Sequence, residues 1–142
     1  RAVGGAGRWT VARGECGDGA SVPRGAGLTN ASVVFVGRGR AAPVGSVTNT
    51  GAGTIFVGAG GTLHDDLTTA GTVINNGTYV ANVAGNSGTI ANNGIWTGTI
   101  TTAGTLINGT GATVSGLVTN SGTASNAGTP NGGLTNTAGT VP

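Results

Sequence analysis

His64-Asp65-Asp66 is the densest run of side chains in this sequence that could hold a metal ion or move a proton. A metal needs several His, Cys or carboxylate ligands converging on one point. Consecutive residues of an extended chain point to opposite sides, and no further His or Cys lies close in sequence. The run therefore reads as an exposed polar corner, and no metal site is expected. Cys16, within Glu15-Cys16-Gly17-Asp18, is the one thiol. No histidine can be placed beside it as a base, so it reads as a buried or intermolecular cysteine. Sugar cleavage needs two acids facing one bond, and the four acids, Glu15, Asp18, Asp65 and Asp66, share no position of the repeat described below. Glycine runs such as Gly4-Gly5-Ala6-Gly7 lack the Lys and Ser/Thr of a phosphate loop. The expectation is a chain with no catalytic residue, no cofactor site and no metal ligand, and so not an enzyme.

The placement of charge supports that expectation. Every Arg, Asp and Glu, and the single His, lie within residues 1–66; none occurs from Leu67 to Pro142. That second half lacks the usual acid and base groups altogether. Six arginines against four acids leave a net charge of only +2, and Arg8-Trp9 is the one basic–aromatic neighbour pair, so no nucleic-acid partner is expected. No stretch reaches the 18 or so apolar residues of a membrane span. Any membrane contact would come through a domain outside these residues. One cysteine excludes an internal disulfide framework. The chain begins at Arg1 and stops inside a repeat unit, which predicts a processed or excised segment of a longer protein.

What must position these side chains is a scaffold of unusual composition. Of 142 residues 31 are Gly and 24 are Thr, while aromatic residues make up 4% and charged residues 7%. A two-layer core of large side chains cannot be built from this. There is no Gly-X-Y period for collagen, and a hydrophobic content of 37% with low net charge argues against disorder. Val, Ile and Thr favour strands, and Gly and Asn favour the turns between them.

Internal repetition decides the fold. Gly-Thr followed by a further unit starts at Gly53, Gly71, Gly88, Gly104, Gly122 and Gly139, at intervals of 18, 17, 16, 18 and 17 residues. Aligned, the third position reads Ile55, Val73, Ile90, Leu106, Ala124 and Val141, an inward aliphatic column. The second reads Thr54, Thr72, Thr89, Thr105, Thr123 and Thr140, which strand alternation turns outward. The fifth reads Val57, Asn75, Asn92, Asn108 and Asn126, inward again. A buried amide needs partners, and amides stacked about 4.8 Å apart can supply them to one another. Small residues precede each Gly-Thr (Ala70, Ser87, Ala103, Ser121, Ala138) and predict a tight corner.

The expected fold is thus all-β, a parallel β-solenoid of about 17-residue rungs starting near 33, 53, 71, 88, 104, 122 and 139, with two or three strands per rung. Apolar residues do not recur every six, which favours a right-handed β-helix over a left-handed one. Leu28-Thr29-Asn30 matches Leu134-Thr135-Asn136, so the repeats occupy 28–142 and residues 1–27 form an irregular cap or junction. A degenerate rung from about Val33 to Ala52 is read with Phe35 inward and Gly37 to Pro43, bearing Arg38 and Arg40, as a looped-out insert. Tyr79 and Trp96 share position nine of adjacent rungs; they fill a wide corner of the core, or, turned outward, form a sugar-binding platform. Asn30-Ala31-Ser32, Asn76-Gly77-Thr78 and Asn108-Gly109-Thr110 fit the N-glycosylation pattern.

The phrases GTVxNxGT and LTNxxGT, as in Gly71–Thr78 and Leu134–Thr140, resemble the repeats of bacterial autotransporter passengers and related filamentous adhesins. The resemblance covers about 28–142. It implies a right-handed parallel β-helix, export across the outer membrane and display on the bacterial surface, with adhesion or biofilm roles. The rungs here are shorter than is usual for that family, and residues 1–142 include no C-terminal barrel. The expected function is a non-catalytic, extracellular, structural or adhesive stalk whose partner is a cell-surface glycan or protein, or copies of itself. A self-assembling filament or phage-fibre subunit is one alternative. An ice-binding solenoid using the Thr54–Thr140 column is another.

Overall fold

A computed structural model describes residues 28–31, 33–37 and 46–142, together with the strand backbone of 9–10, 14–16 and 39–41. The chain winds as a β-solenoid with three parallel sheets, one strand per sheet in each complete rung. The first sheet holds Gly14–Cys16, Val33–Val36, Thr54–Val57, Thr72–Asn75, Thr89–Asn92, Thr105–Asn108 and Thr123–Asn126. The second holds Gly39–Ala41, Gly61–His64, Thr78–Val80, Ile95–Thr97, Thr113–Val114 and Thr129–Pro130. The third holds Trp9–Thr10, Leu28–Asn30, Ser46–Asn49, Asp66–Thr69, Val83–Asn86, Ile100–Thr102, Val118–Asn120 and Leu134–Asn136. Leu28–Asn30 and Leu134–Asn136 therefore occupy the same place in their rungs, as their shared sequence predicts.

The rung beginning at Thr89 is the shortest, with strands of four, three and three residues joined by two-residue corners. Longer rungs differ from it at identifiable places. The rungs at Thr54 and Thr105 have first corners of three and four residues, in which Gly60 (φ 80°) and Gly111 (φ 78°) adopt the left-handed backbone that glycine permits. The rung at Thr72 carries a bulge in its third strand, where the register shifts on both sides of Val83–Asn86. The irregular unit length is thus a set of local insertions in one invariant frame.

Inward residues stack by type. Val34, Ile55, Val73, Ile90, Leu106 and Ala124 form the aliphatic column of the first sheet, and all are buried. Val141, at the same position of the last unit, is 43% exposed. Leu63, Tyr79, Trp96 and Val114 line the second sheet, and Leu28, Val47, Leu67, Val83, Ile100 and Val118 the third. Tyr79 and Trp96 stack at 4.4 Å with rings 20° apart and no exposure, so they are core and not a sugar platform. Phe35 corrects its expected placement: Val34 pairs with Ile55, so Phe35 points outward, stacked on Phe56 at 5.3 Å. The insert is also not simply a loop, since Gly39–Ala41 pairs in register with Gly61–Leu63.

The asparagines run as two ladders. At the first corner Asn75 donates to Asn92, Asn92 to Asn108 and Asn108 to Asn126, each at 2.8 Å. At the third corner Asn30 donates to Asn49 (2.8 Å), Asn49 to Thr69 (3.1 Å), Asn86 to Thr102 (3.0 Å) and Asn120 to Asn136 (2.9 Å). The amides also close the corners. The Oδ1 of Asn75, Asn86 and Asn120 accepts from the glycine amide two residues on, a side-chain imitation of a backbone turn. That glycine has its own constraint. A Cβ on Gly71, Gly88, Gly104, Gly122 or Gly139 would drive into the carbonyl of the glycine one rung below, so only glycine fits this corner column.

The glycosylation patterns at Asn30 and Asn108 fall inside these ladders, where both amides are buried, and only Asn76 remains half-exposed. Leaving buried polar atoms without partners costs about 1–3 kcal/mol apiece. Asn92→Ala removes the donor to Asn108 and an acceptor for Asn75, and is expected to cost about 3 kcal/mol. Asn126→Ala, at the exposed end of the same ladder, is expected to cost about 1 kcal/mol or less. Denaturant unfolding of the two variants measures the difference.

Candidate functional site

With the interior filled by stacking, the surfaces available for contact are the outward rows. Apart from the bulge at Val83–Asn86 the third sheet alternates, so Thr29, Thr48, Thr68, Thr101, Thr119 and Thr135 project outward between inward aliphatic and amide or threonine residues. Beside them runs a row of small corner residues, Thr50, Ala70, Ser87, Ala103, Ser121 and Thr137. Their backbone amides bond one rung down in unbroken order: Thr50 to Asn30, Ala70 to Asn49, Ser87 to Thr69, Ala103 to Asn86, Ser121 to Thr102, Thr137 to Asn120. The hydroxyls of Thr50, Ser121 and Thr137 donate to the same carbonyls, at 3.0, 3.2 and 3.1 Å. The small residues before each Gly-Thr are thus exposed; they shape this surface more than they relieve crowding at the corner.

Gly85 interrupts the threonine row, pairing with Thr68 through the bulge. A hollow of about 490 Å³ opens here between Thr48, Thr50, Thr68, Ala70, Ser87 and Ala103. Packing does not demand a glycine at this point, because a Cβ on Gly85 would meet nothing within 4 Å and its φ is not positive. The surface offers methyl groups and neutral hydroxyls. It can make van der Waals contacts and hydrogen bonds to an uncharged partner, and it has no group able to transfer a proton at neutral pH.

The first sheet presents a second surface. Thr54, Thr72, Thr89 and Thr105 are half-buried and Thr123 and Thr140 exposed, so the predicted threonine row does face outward. Alongside it lies an apolar row, Phe35, Phe56, Ile74, Ala91 and Ile107, with Phe35 38% and Ile107 41% exposed. The inward columns do not reveal this row; its signal lies in the fourth position of the units at Gly53, Gly71, Gly88 and Gly104, and it stops at Ser125.

The candidate chemical residues do not converge. His64 is half-buried, Asp66 is exposed, and its Oδ1 accepts from the Asn82 amide at 3.0 Å. No group of three or more His, Cys, Asp or Glu able to hold a metal occurs among the described residues. Asp65 departs from the expected exposed corner: its Oδ2 is buried without a hydrogen-bond partner. Burial pushes this carboxyl up to about 7; the Asp66 amide opposes the shift by hydrogen bonding, and the Asp66 charge adds to it. Tyr79 is pushed up as well, by burial first and by the Asp65 charge second. Cys16 and Glu15 lie on a described strand, but their side chains, like Asp18, Arg8 and Arg38, fall outside the described residues, as does most of the 1–27 segment.

Gly85→Thr is expected to change stability by less than about 0.5 kcal/mol, since it fills empty space. Gly88→Ala, which meets the Gly71 carbonyl, is expected to cost about 1–3 kcal/mol. Thermal unfolding of both variants checks the contrast.

No family model, no curated protein and no solved structure matches the chain.

Proposed function

We propose that this chain is a non-catalytic rod of an extracellular surface protein, a stalk or adhesin segment that meets its partner through its outward threonine rows. The observation that carries the reading is the division of labour between the two sides of each strand. Inward residues are committed to stacking, whereas outward ones repeat neutral hydroxyls at rung spacing along the third sheet. A repeating contact of this kind suits a repeating partner, because many weak contacts add along one axis. A neutral glycan chain on a cell surface fits best, since the hollow at Gly85 has no ionisable lining. The resemblance of the repeat phrases to autotransporter passengers and filamentous adhesins supports surface display, with export through a domain outside this chain.

The test is binding of the purified rod to cell-surface glycans, together with surface labelling of the producing cell. Thr101→Lys with Thr119→Lys is expected to lower glycan binding at least tenfold, by placing two charges in the neutral row. Retention of full binding, or a cytosolic location, contradicts the proposal.

A second reading, ice binding, gains one specific observation. Thr48-Asn49-Thr50 and Thr135-Asn136-Thr137 place threonines on both outward rows of the third sheet, the two-column pattern expected of an ice face. Ala and Ser fill the second row elsewhere, and Gly85 breaks the first. Gly85→Thr separates the readings: it completes an ice face and raises thermal hysteresis, but it fills the hollow and weakens glycan binding.

A further inference from the structure

The two buried side-chain oxygens without partners among the described residues belong to Asp65 and Tyr79. Their positions are related. Trp96, the neighbour of Tyr79 in the second sheet, sends its indole N–H down one rung to the Ala81 carbonyl at 3.1 Å. Ala81 is the first residue of the corner between the second and third sheets. One rung lower that corner begins with Asp65, whose amide bonds to the Val80 carbonyl just as the Ala81 amide bonds to Thr97. The Tyr79 ring sits one rung below Trp96 and pairs with Leu63, two residues before Asp65, and its buried hydroxyl and the Asp65 Oδ2 do not bond to each other in this structure.

We propose that Asp65 and Tyr79 form a proton-operated latch, closed while the Asp65 carboxyl is protonated and loosened when it ionises. On protonation the carboxyl gains an O–H donor, and a small side-chain turn of this half-buried residue lets its Oδ2 side close a hydrogen bond with the phenol, which has no partner in this structure. An ionised one needs hydration, which means turning outward or admitting water, and either move keeps the phenol in the unpartnered state seen here. The upward displacement of both groups by burial agrees with this placement. The neighbouring titratable groups are His64 and Asp66 on the same corner and Tyr79 from the rung above, while Ala81 caps it without charge. From the rung below, the backbone register brings Arg40 opposite Thr62.

The direction of the pH effect follows from the raised acid. Between the ordinary carboxylate value of 3.8 and about 7 the folded state keeps a proton that the unfolded chain has released. Stability therefore falls as pH rises through this window and levels off above it. The device is independent of what the rod binds.

Tyr79 is the only tyrosine, so its ring carbons report on this corner alone. With ¹³C-labelled tyrosine, the Cζ shift of the intact chain is expected to titrate with a midpoint near 7. In Asp65→Asn, which imitates the protonated acid, the shift is expected to stay constant and the unfolding temperature to lose its decline between about pH 4 and about pH 7. In Tyr79→Phe that decline is expected to shrink without vanishing. A Cζ shift that is constant in the wild-type chain, or that titrates equally in Asp65→Asn, overturns the latch. An unchanged decline in Tyr79→Phe overturns the pairing of the two residues.

Discussion

A carboxamide inside a thin core needs several hydrogen-bond partners, and here backbone groups of its own corner and of the next rung supply some while the equivalent residue one rung away supplies another. Nearly everything regular in this molecule follows from that constraint. Asn75, Asn92, Asn108 and Asn126 must stand directly above one another, and the same holds for Asn30, Asn49 and Thr69 on the opposite side of the first sheet. A slip of one residue would turn every amide to solvent and every solvent-facing threonine inward. Aliphatic columns tolerate neighbours of different size, as the passage from Ile90 to Leu106 to Ala124 shows, and do not by themselves define a register. The amides define it. The glycine column Gly71, Gly88, Gly104, Gly122 and Gly139 completes the device, because the carbonyl of the glycine one rung below occupies the space where a Cβ would lie.

Variation is confined to places that leave the columns untouched. First corners lengthen after Val57, where the ladder gives way, and after Asn108 within it, and backbone bonds close both turns, Gly61 to Gly58 and Ala112 to Gly109. The bulge at Val83–Asn86 keeps Val83 and Asn86 inward while displacing the residues between them. One extra residue therefore costs the core nothing and opens the hollow on the outer surface. Outward positions are thereby free to differ from rung to rung, which is what a contact surface requires.

Much of the frame was legible in the sequence because Gly-Thr fixes a reference point from which inward and outward positions can be counted. The aliphatic column, the first amide ladder and the Tyr79–Trp96 pair emerge from that count. The second ladder did not, since Thr69 and Thr102 replace asparagine in it and the distance to the next Gly-Thr varies from two residues at Asn120 to four at Asn49. Phe35 was misplaced by one position because its rung lacks Gly-Thr and offers no reference. Gly39–Ala41 has the composition of a loop, yet it extends a sheet whose neighbouring strand supplies the partners. Asp65 looked like a solvated corner, yet its Oδ2 is buried and its amide is bonded to Val80 of the next rung, a relation that local sequence cannot express. The contact surface was half visible: threonines outward in the first sheet, but not the more exposed rows of the third.

The central claim is that the amide ladders are closed hydrogen-bonded columns that hold the rungs in register. Proton exchange of the asparagine side-chain amides, followed by NMR in the intact chain, tests it most directly. Slow exchange is predicted for Asn30, Asn49, Asn75, Asn86, Asn92, Asn108 and Asn120, and fast exchange for the exposed ladder ends Asn126 and Asn136. Uniformly fast exchange across all nine, in a chain that remains folded, would contradict the account.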